Sequence, residues 1–267
     1  MEQQRNIFLI VLLCTTLFLF WNWNTDKANE AKLAEQEALQ AQMADSDVNS
    51  ESSLGKIVTL KSDNLLLSIN LNGGDIIDAK LLKVMKEQGK NEPFQLLMTN
   101  NFFTYQAQSG AVGKDGPDSK ARPVYTTDAE NYVLKDGENS VSASLVYENN
   151  GVTYTKTYTL DRDSYVVKLN YKVDNHSEKP VQLSFYSQLK QTEDMSYLKK
   201  DTSFAMVASA YRGTAYSSDD SRYEKATLDK IIEEKHPDVK TKNGWVAMIQ
   251  HYFVSAWIGD DDANVNN

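Results

Sequence analysis

The side chains that most often carry acid–base or metal chemistry are few in this sequence and lie far apart along it. The three histidines, His176, His236 and His251, do not have the spacing of metal ligands, such as H-x-x-x-H. His176 lies in the turn sequence DNHSEKP and His236 precedes a proline, so we expect both in solvated loops. Apolar neighbours flank His251, which favours a hydrogen-bonded core residue over a catalyst. The histidines therefore predict neither a metal site nor an acid–base pair.

Nucleophiles and paired carboxylates give no stronger signal. The sequence lacks the G-x-S-x-G and P-loop motifs, and its single cysteine, Cys14, lies in an apolar run. Asp219–Asp220 and Asp260–Asp262 are contiguous runs in polar turns, whereas hydrolytic dyads need carboxyls that face each other across a substrate. The segment 105–125 is rich in glycine, proline and aspartate, and it is equally compatible with a cleft lining and an extended surface loop. We therefore predict no catalytic residue, no metal, no cofactor and no enzyme.

The chain begins with an uncharged apolar run, IFLIVLLCTTLFLFWNW, at 7–23. As a helix it would span about 25 Å, near the lower limit for a bilayer's hydrocarbon core. The small-residue site of a cleavable signal peptide is missing after the run, and Leu13 before Cys14 disfavours a lipid-modified cysteine. A buried helix of a soluble core is the remaining alternative. We predict a transmembrane signal-anchor helix whose membrane-facing residues include Ile7, Leu9, Leu13, Phe18, Phe20, Trp21 and Trp23.

The flanks of this run predict its orientation. Arg5 and the amino terminus are positive on the short leading side, residues 1–6, whereas the following segment has an excess of carboxylates. The positive-inside rule then predicts a cytoplasmic amino terminus and an exported remainder. Residues 24–55 combine helix formers with an acidic, serine-rich tract and have no heptad repeat. This composition predicts a flexible acidic linker.

Composition limits the role of the remaining part, residues 56–267. The net charge of the chain is −9, which argues against nucleic-acid binding because phosphate contacts need clustered Lys and Arg. The single cysteine lies in the predicted anchor, so the exported part has no disulfide and its core alone must hold it together. These features are typical of a sizeable bacterial periplasmic domain.

Period-two alternation predicts the fold class of this part. Leu65, Leu67, Ile69 and Leu71 fall on one face of a strand, the turn sequence NGG follows, and a second strand is expected from Asp75 onward. The run VTYTKTYTL after the turn NNG places threonines on one face and valine, tyrosine and leucine on the other. We expect threonine-rich and lysine-bearing faces to be solvated. We therefore predict an antiparallel meander that packs as an all-β sandwich.

Two later segments depart from this simple alternation. YEKATLDKIIEE, within 223–234, has apolar spacing closer to that of a helix, so we expect a few helical turns there. GWVAMIQHYFVSAWI, at 244–258, is apolar on both strand faces, which predicts a central strand or a strand pair.

A set of short motifs resembles a known family. They occur in this order: MEQQRNIFLIVLL at the start, NGGDI from Asn72, PFQLL from Pro93, YQAQSG from Tyr105, GPD from Gly116, RPVY from Arg122, YTKTYTL from Tyr154, QLKQ from Gln188, YRGTAYSS from Tyr211 and GWVAMIQHYFVSAWI from Gly244. The ensemble is similar to the N-terminal part of the YidC membrane protein insertases of Gram-negative bacteria. The resemblance covers nearly the whole chain except the linker.

The resemblance implies a first transmembrane helix followed by a periplasmic β-supersandwich similar to galactose mutarotases. It also implies help in inserting and folding inner-membrane proteins, alone or beside the Sec translocon, with nascent membrane proteins and SecDF as partners. The family's further transmembrane helices have no counterpart in this sequence, and its sandwich continues with strands beyond Asn267. We therefore expect an N-terminal fragment whose β domain is truncated and incomplete.

Two functions from different classes follow. The leading hypothesis is an anchor and periplasmic docking module of an insertase, whose partner contacts include Tyr211, Arg212, Tyr216 and Tyr223. The alternative is a membrane-tethered carbohydrate-binding or mutarotase-like protein, suggested by the implied fold alone.

Overall fold

The computed structural model describes one compact unit within Glu51–Asn267. The described residues are 55–192, 213–227, 231, 241, 244–250 and 252–259. The predicted anchor at 7–23, nearly all of the predicted linker, His236, His251, Tyr211 and Arg212 lie outside them. Across the described ranges, no helix combines the length and the apolar character needed to cross a bilayer.

Strands dominate the described part of the chain, which confirms the all-β prediction. Their bounds are β1 Ile57–Lys61, β2 Leu65–Asn70, β3 Asp75–Met85, β4 Pro93–Thr99, β5 Thr104–Val112, β6 Asn131–Val133, β7 Ser140–Asn149, β8 Val152–Asp161, β9 Val167–Asn175, β10 Ser184–Gln191, β11 Gly213–Tyr216, β12 Glu224–Ala226, β13 Trp245–Gln250 and β14 Phe253–Ile258.

The largest sheet has the strand order β10-β5-β4-β3-β2-β1-β6 in the described residues. Strands β1 to β5 form the antiparallel meander that the alternation predicts, with Leu60 opposite Leu67 and Leu67 opposite Ala79. Two pairings are not part of a meander. The strand β6 runs parallel to β1, and β10 returns to pair with β5 from Ser184 to Gln191. Alternation predicts strands and faces, but it contains no information about these long-range partners.

The core lies on one face of this sheet. Leu65, Leu67, Ile69 and Leu71 are all buried, as their spacing predicts. A second sheet, with the order β7-β8-β9, covers this face and contributes Ala143, Leu145, Tyr158 and Leu160 to the same cluster. Burying an apolar side chain of this size contributes about 1.5–3 kcal/mol, so this sandwich interior accounts for most of the hydrophobic stabilisation.

A third sheet, with the order β12-β11-β13-β14, also packs against the core cluster. The ring of Phe253 stacks on Phe94 of the large sheet with centroids 4.0 Å apart. The indole nitrogen of Trp257 donates a hydrogen bond to the carbonyl of Gln188 in β10 at 3.0 Å. Met248, on the same face as these residues, is partly buried against the cluster. The side chains on this inner face therefore attach the four-stranded sheet to the sandwich.

Three expectations for local structure are met only in part. In 105–125, the first part is the strand β5 rather than a loop. In 223–234, Glu224–Ala226 forms the strand β12, while Ile231 is helical and donates to the carbonyl of Thr227 at 3.1 Å. The 244–258 run is a strand pair, as expected, but it is not buried on both faces, because Val254 and Ile258 of β14 are exposed.

The two neighbouring leucines of β2 allow a test of the assigned faces. Leu67 points into the core at 1% exposure, whereas Leu66 lies on the opposite, half-buried face. We expect Leu67→Ala to lower the free energy of unfolding by about 3 kcal/mol through lost contacts and a cavity, and Leu66→Ala to cost clearly less. Denaturant unfolding of both variants measures the difference. Equal losses would contradict the register of β2.

Candidate functional site

A cluster of charged side chains lies between the two layers of the sandwich. Asp75 opens β3, Lys156 lies at the middle of β8, and Asp118 and Arg122 belong to the connection after β5. Asp75 is 4% exposed and Lys156 is fully buried, although such side chains are seldom buried unless they are paired. We refer to these four residues as the charged cluster.

Arg122 makes most of the contacts in the charged cluster. Its Nη1 atom forms an ion pair with Asp118 at 2.5 Å and hydrogen-bonds the hydroxyl of Tyr186. Its Nη2 atom pairs with Asp75 and donates to the backbone carbonyl of Gly73 at 3.0 Å. The Asp118 carboxylate also accepts a backbone N–H from β5, at 2.8 Å. These charge-assisted bonds fix the connection after β5 onto the edge of the large sheet.

Lys156 links the two layers. From β8 of the three-stranded sheet, its Nζ atom donates to the carbonyls of Gly73 at 2.6 Å and Ser109 at 2.8 Å, both of which belong to the large-sheet layer. The rings of Tyr125 and Tyr171 lie 5.3 and 5.1 Å from the same ammonium group, within cation–π distance. The buried positive charge is therefore stabilised by carbonyl dipoles and aromatic faces, besides the nearby carboxylates.

The turn between β2 and β3 is shaped to receive these side chains. Gly73 and Gly74 have φ angles of 88° and 65°, a left-handed region that favours glycine. A Cβ atom at Gly73 would collide with the Arg122 side chain, and one at Gly74 would approach Cδ of Lys156 to 3.0 Å. The carbonyl of Gly74 accepts the Tyr158 hydroxyl at 2.5 Å. The NGG sequence is thus required by close approach as well as by turn geometry.

Burial shifts the pKa of two members of the charged cluster in opposite directions. It raises the pKa of the Asp75 carboxyl above its usual range, although Arg122 and Lys156 act against this rise. It lowers the pKa of the Lys156 ammonium to about 7, although Asp75 favours the charged form. In both cases the loss of hydration outweighs the neighbouring opposite charge.

The charged cluster has the composition of a structural network rather than of a catalytic site. Its carboxylates and guanidinium are paired with one another, and Lys156 is fully buried. Within the described ranges, no group of three or more His, Cys, Asp or Glu side chains is placed to hold a metal ion. Among the buried atoms around it, Arg122 Nε has no hydrogen-bond partner within the described residues. A buried donor without a partner is costly, so the cluster is sensitive to the loss of the bonds that it does make.

The sequence interpretation missed this network, although one signal was present. Lys156 is separated by an even number of positions from Val152, Tyr154 and Leu160, so it lies with them on the apolar face of β8. The expectation that lysine-bearing faces are solvated is therefore wrong for this residue. A lysine on an apolar strand face indicates a buried ion partner, but alternation alone does not identify the partners, since they come from distant parts of the chain. His176 is exposed, as expected.

Of the predicted partner-contact residues, Tyr216 lies in the four-stranded sheet and Tyr223 immediately precedes its strand β12. Tyr216 of β11 is half-buried, and its hydroxyl donates to the Glu224 carboxylate at 2.5 Å. Tyr223 is 49% exposed, and its ring lies 6.0 Å from that of Trp245. The structure therefore places both at the four-stranded sheet, with Tyr223 available at the surface. Tyr211 and Arg212 lie outside the described residues.

Tyr223 borders an apolar surface of the four-stranded sheet through its contact with Trp245. In the register of β13 and β14, Trp245 lies opposite Ile258 and Ile249 opposite Val254, so these four side chains share the outer face. Val254 is 57% and Ile258 72% exposed. We call Tyr223, Trp245, Ile249, Val254 and Ile258 the outer patch. Trp245 and Ile249 are half-buried. Apolar and aromatic side chains that reach the surface together in this way are typical of interaction surfaces.

Comparison with known proteins agrees with this architecture. Residues 57–267 match the family profile described as the YidC periplasmic domain. Two relatives, from Aeromonas hydrophila subsp. hydrophila and Aeromonas salmonicida, are described as membrane protein insertase YidC and are 44% and 43% identical to the chain over 278 residues. Each alignment covers 99% of this chain and 50% of the relative. The chain thus spans about half the length of the curated relatives it matches.

The β-sandwich and the matched residues define a periplasmic domain of a membrane-protein-insertase type. The family match extends over most of the chain, and the similarity to the relatives extends further, over nearly all of it. The chain belongs to the YidC family, as its motifs predict.

The lowered pKa of Lys156 predicts how the stability of the domain depends on pH, and this dependence tests the burial of Lys156 in the charged cluster. Between a folded-state pKa of about 7 and an unfolded one of about 10.4, the unfolded chain holds a proton that the folded chain has released. The contribution of Lys156 to stability therefore rises with pH across this window, with a slope of at most about 1.4 kcal/mol per pH unit.

We expect Lys156→Met to remove this rise. Unfolding free energies of the chain and of the variant, measured in denaturant from neutral to alkaline pH, should diverge in favour of the unmodified chain as pH increases. Parallel curves would contradict the assigned burial and titration of Lys156.

Proposed function

We propose that the chain is the membrane anchor and periplasmic module of an insertase that helps inner-membrane proteins to insert and fold. The observation that carries this proposal is the family match over 57–267, together with relatives that are described as membrane protein insertases. Nascent membrane proteins are the proposed substrates, and lipids of the inner membrane the proposed surroundings. The role is one of binding and orientation, in keeping with the prediction that the chain is not an enzyme.

The proposed topology follows from the sequence. Residues 1–6 lie in the cytoplasm, 7–23 span the inner membrane, 24–55 form a flexible acidic tether, and 56–267 belong to the periplasmic sandwich. The apolar run and its charge asymmetry support this arrangement. A tether of this composition would let the sandwich reach partners at some distance from its anchor.

The outer patch is the proposed docking surface of this module, with the Sec translocon and its SecDF component as partners. What supports the proposal is the exposure of Tyr223, Val254 and Ile258 on one sheet face, while the opposite face is attached to the sandwich. Tyrosine and tryptophan in such a patch provide large contact areas at low conformational cost. Tyr211 and Arg212, close in sequence to β11, extend the proposed contact region.

The carbohydrate-binding alternative has less support. A sugar site needs polar side chains that converge on an open cleft, with aromatic faces for stacking. In the described ranges, the main concentration of polar side chains is the charged cluster, where ion pairs and backbone carbonyls already occupy most of the donors and acceptors. No specific observation therefore favours sugar binding or anomer interconversion.

Cysteine labelling tests the proposed topology, because the native chain has one cysteine, Cys14, within the predicted anchor. We expect Ser52→Cys to react with a membrane-impermeant maleimide in intact spheroplasts. The matched variant Gln3→Cys should react only after the membrane is permeabilised. Labelling of position 3 without permeabilisation would overturn the assigned orientation.

Alanine substitution tests the docking surface. Tyr223 and Tyr165 are both 49% exposed, but Tyr165 precedes β9 of the three-stranded sheet, away from the four-stranded sheet. If Tyr223 is a central contact, Tyr223→Ala should weaken binding to purified SecDF by about 2 kcal/mol, or roughly thirtyfold in Kd.

The matched variant Tyr165→Ala should bind SecDF like the unmodified chain. Titration of detergent-solubilised SecDF against the immobilised chain measures both affinities. A loss shared equally by the two variants would point to general destabilisation, and no loss in either would remove the outer patch as the docking surface.

A further inference from the structure

Two Asn-Gly dipeptides in the described residues differ in what holds the glycine amide. Gly73 of Asn72–Gly73 is buried, and its N–H donates to the carbonyl of Pro123 at 2.8 Å. Both residues of Asn150–Gly151 are exposed at the tip of the β7–β8 hairpin. A third dipeptide, Asn243–Gly244, begins outside the described residues.

The Asn150–Gly151 turn leaves its reactive atoms accessible. Both residues have positive φ angles, 52° and 79°, as a two-residue hairpin turn requires. The carbonyl of Gly151 accepts the backbone N–H of His176 at 2.9 Å, which holds that side of the peptide. Among the hydrogen bonds of the described part of the chain, none uses the Gly151 N–H or the Asn150 side chain.

This arrangement exposes an asparagine amide to attack by the neighbouring backbone nitrogen. The Gly151 nitrogen, after losing its proton, forms a bond to Cγ of Asn150. The bond from Cγ to Nδ2 breaks, and ammonia leaves with the proton. Water then opens the resulting succinimide at either carbonyl and gives aspartate or isoaspartate. Glycine at the second position favours the attack because it has no Cβ to obstruct it.

We propose that Asn150 is a site of spontaneous deamidation with water as the co-reactant, and that the fold protects Asn72 from the same reaction. At Asn72 the attacking nitrogen is buried and its N–H is bonded to Pro123. The Gly73 carbonyl is also held, by Arg122 and Lys156, so the ring closure would disrupt the charged cluster. At Asn150, by contrast, ring closure requires only that the exposed turn leave its left-handed backbone conformation.

The product would alter one end of the three-stranded sheet. Aspartate adds a negative charge near Glu148, which lines the same open concavity as Asn150 and His176. Isoaspartate also lengthens the backbone by one carbon within the tight turn that joins β7 and β8. Because β8 contains Lys156, this change lies on the same hairpin as the link between the two layers.

The test is to incubate the full chain in detergent at mildly alkaline pH and to follow each asparagine by peptide mapping with mass spectrometry. We expect Asn150 to convert at least about tenfold faster than Asn72, because the buried amide of Gly73 must first lose its hydrogen bond. Conversion at equal rates, or faster conversion at Asn72, would overturn the proposal.

Two controls separate the fold from the local sequence. In the urea-denatured chain the two rates should become similar, and a persistent slow rate at Asn72 would show that the fold is not the protecting factor. Asn150→Gln should abolish the change in its own peptide, because glutamine forms its ring much more slowly, whereas the matched Asn72→Gln should leave conversion at Asn150 as it is. Unchanged formation of isoaspartate in the Asn150→Gln peptide would also overturn the assignment.

Discussion

The alignment of the two sheets of the sandwich depends on two backbone carbonyls, those of Gly73 and Ser109. They accept Lys156 from the three-stranded sheet and Arg122 from the connection after β5. Apolar packing has no preferred direction, so it brings the sheets together without specifying how they are aligned. A buried cation that must reach two particular carbonyls does specify an alignment, at the cost of desolvation that lowers the pKa of Lys156. This cost is consistent with a role in conformational specificity.

The sandwich and the four-stranded sheet differ in what they contribute to the domain. The sandwich contains the core and the charged cluster, which supply stability and alignment. The four-stranded sheet is attached through Phe253 and Trp257 and presents the outer patch on its other face. A surface whose supporting side chains are already packed would lose little entropy on binding, which is what the proposed docking role requires.

Alternation predicted the strands and faces of the sandwich, because one side chain in two must be buried wherever a sheet is covered on one side. The spacing of Leu65, Leu67 and Ile69 is enough to place them in the core. The charged cluster was not predicted, because Asp75 and Lys156 are about eighty positions apart in the chain and no local pattern relates them. The same holds for the parallel pairing of β6 with β1. Of the outer patch, the sequence interpretation named only Tyr223, because the exposure of β14 depends on its place beside β13. Tyr216, which was also named, pairs with Val246 and so lies on the same sheet face as Trp257, opposite the outer patch.

The alternation of β14 has an evolutionary consequence. Its odd-numbered residues Phe253 and Trp257 attach the sheet to the sandwich, and its even-numbered residues Val254 and Ile258 face outward. Inserting or deleting one residue before this strand would exchange the two sets, because strand faces repeat every second position. The exposed face of the strand and the face that attaches the sheet to the sandwich are therefore inherited together. Substitutions can tune the outer face one side chain at a time, but length changes at the β13–β14 turn should be strongly selected against.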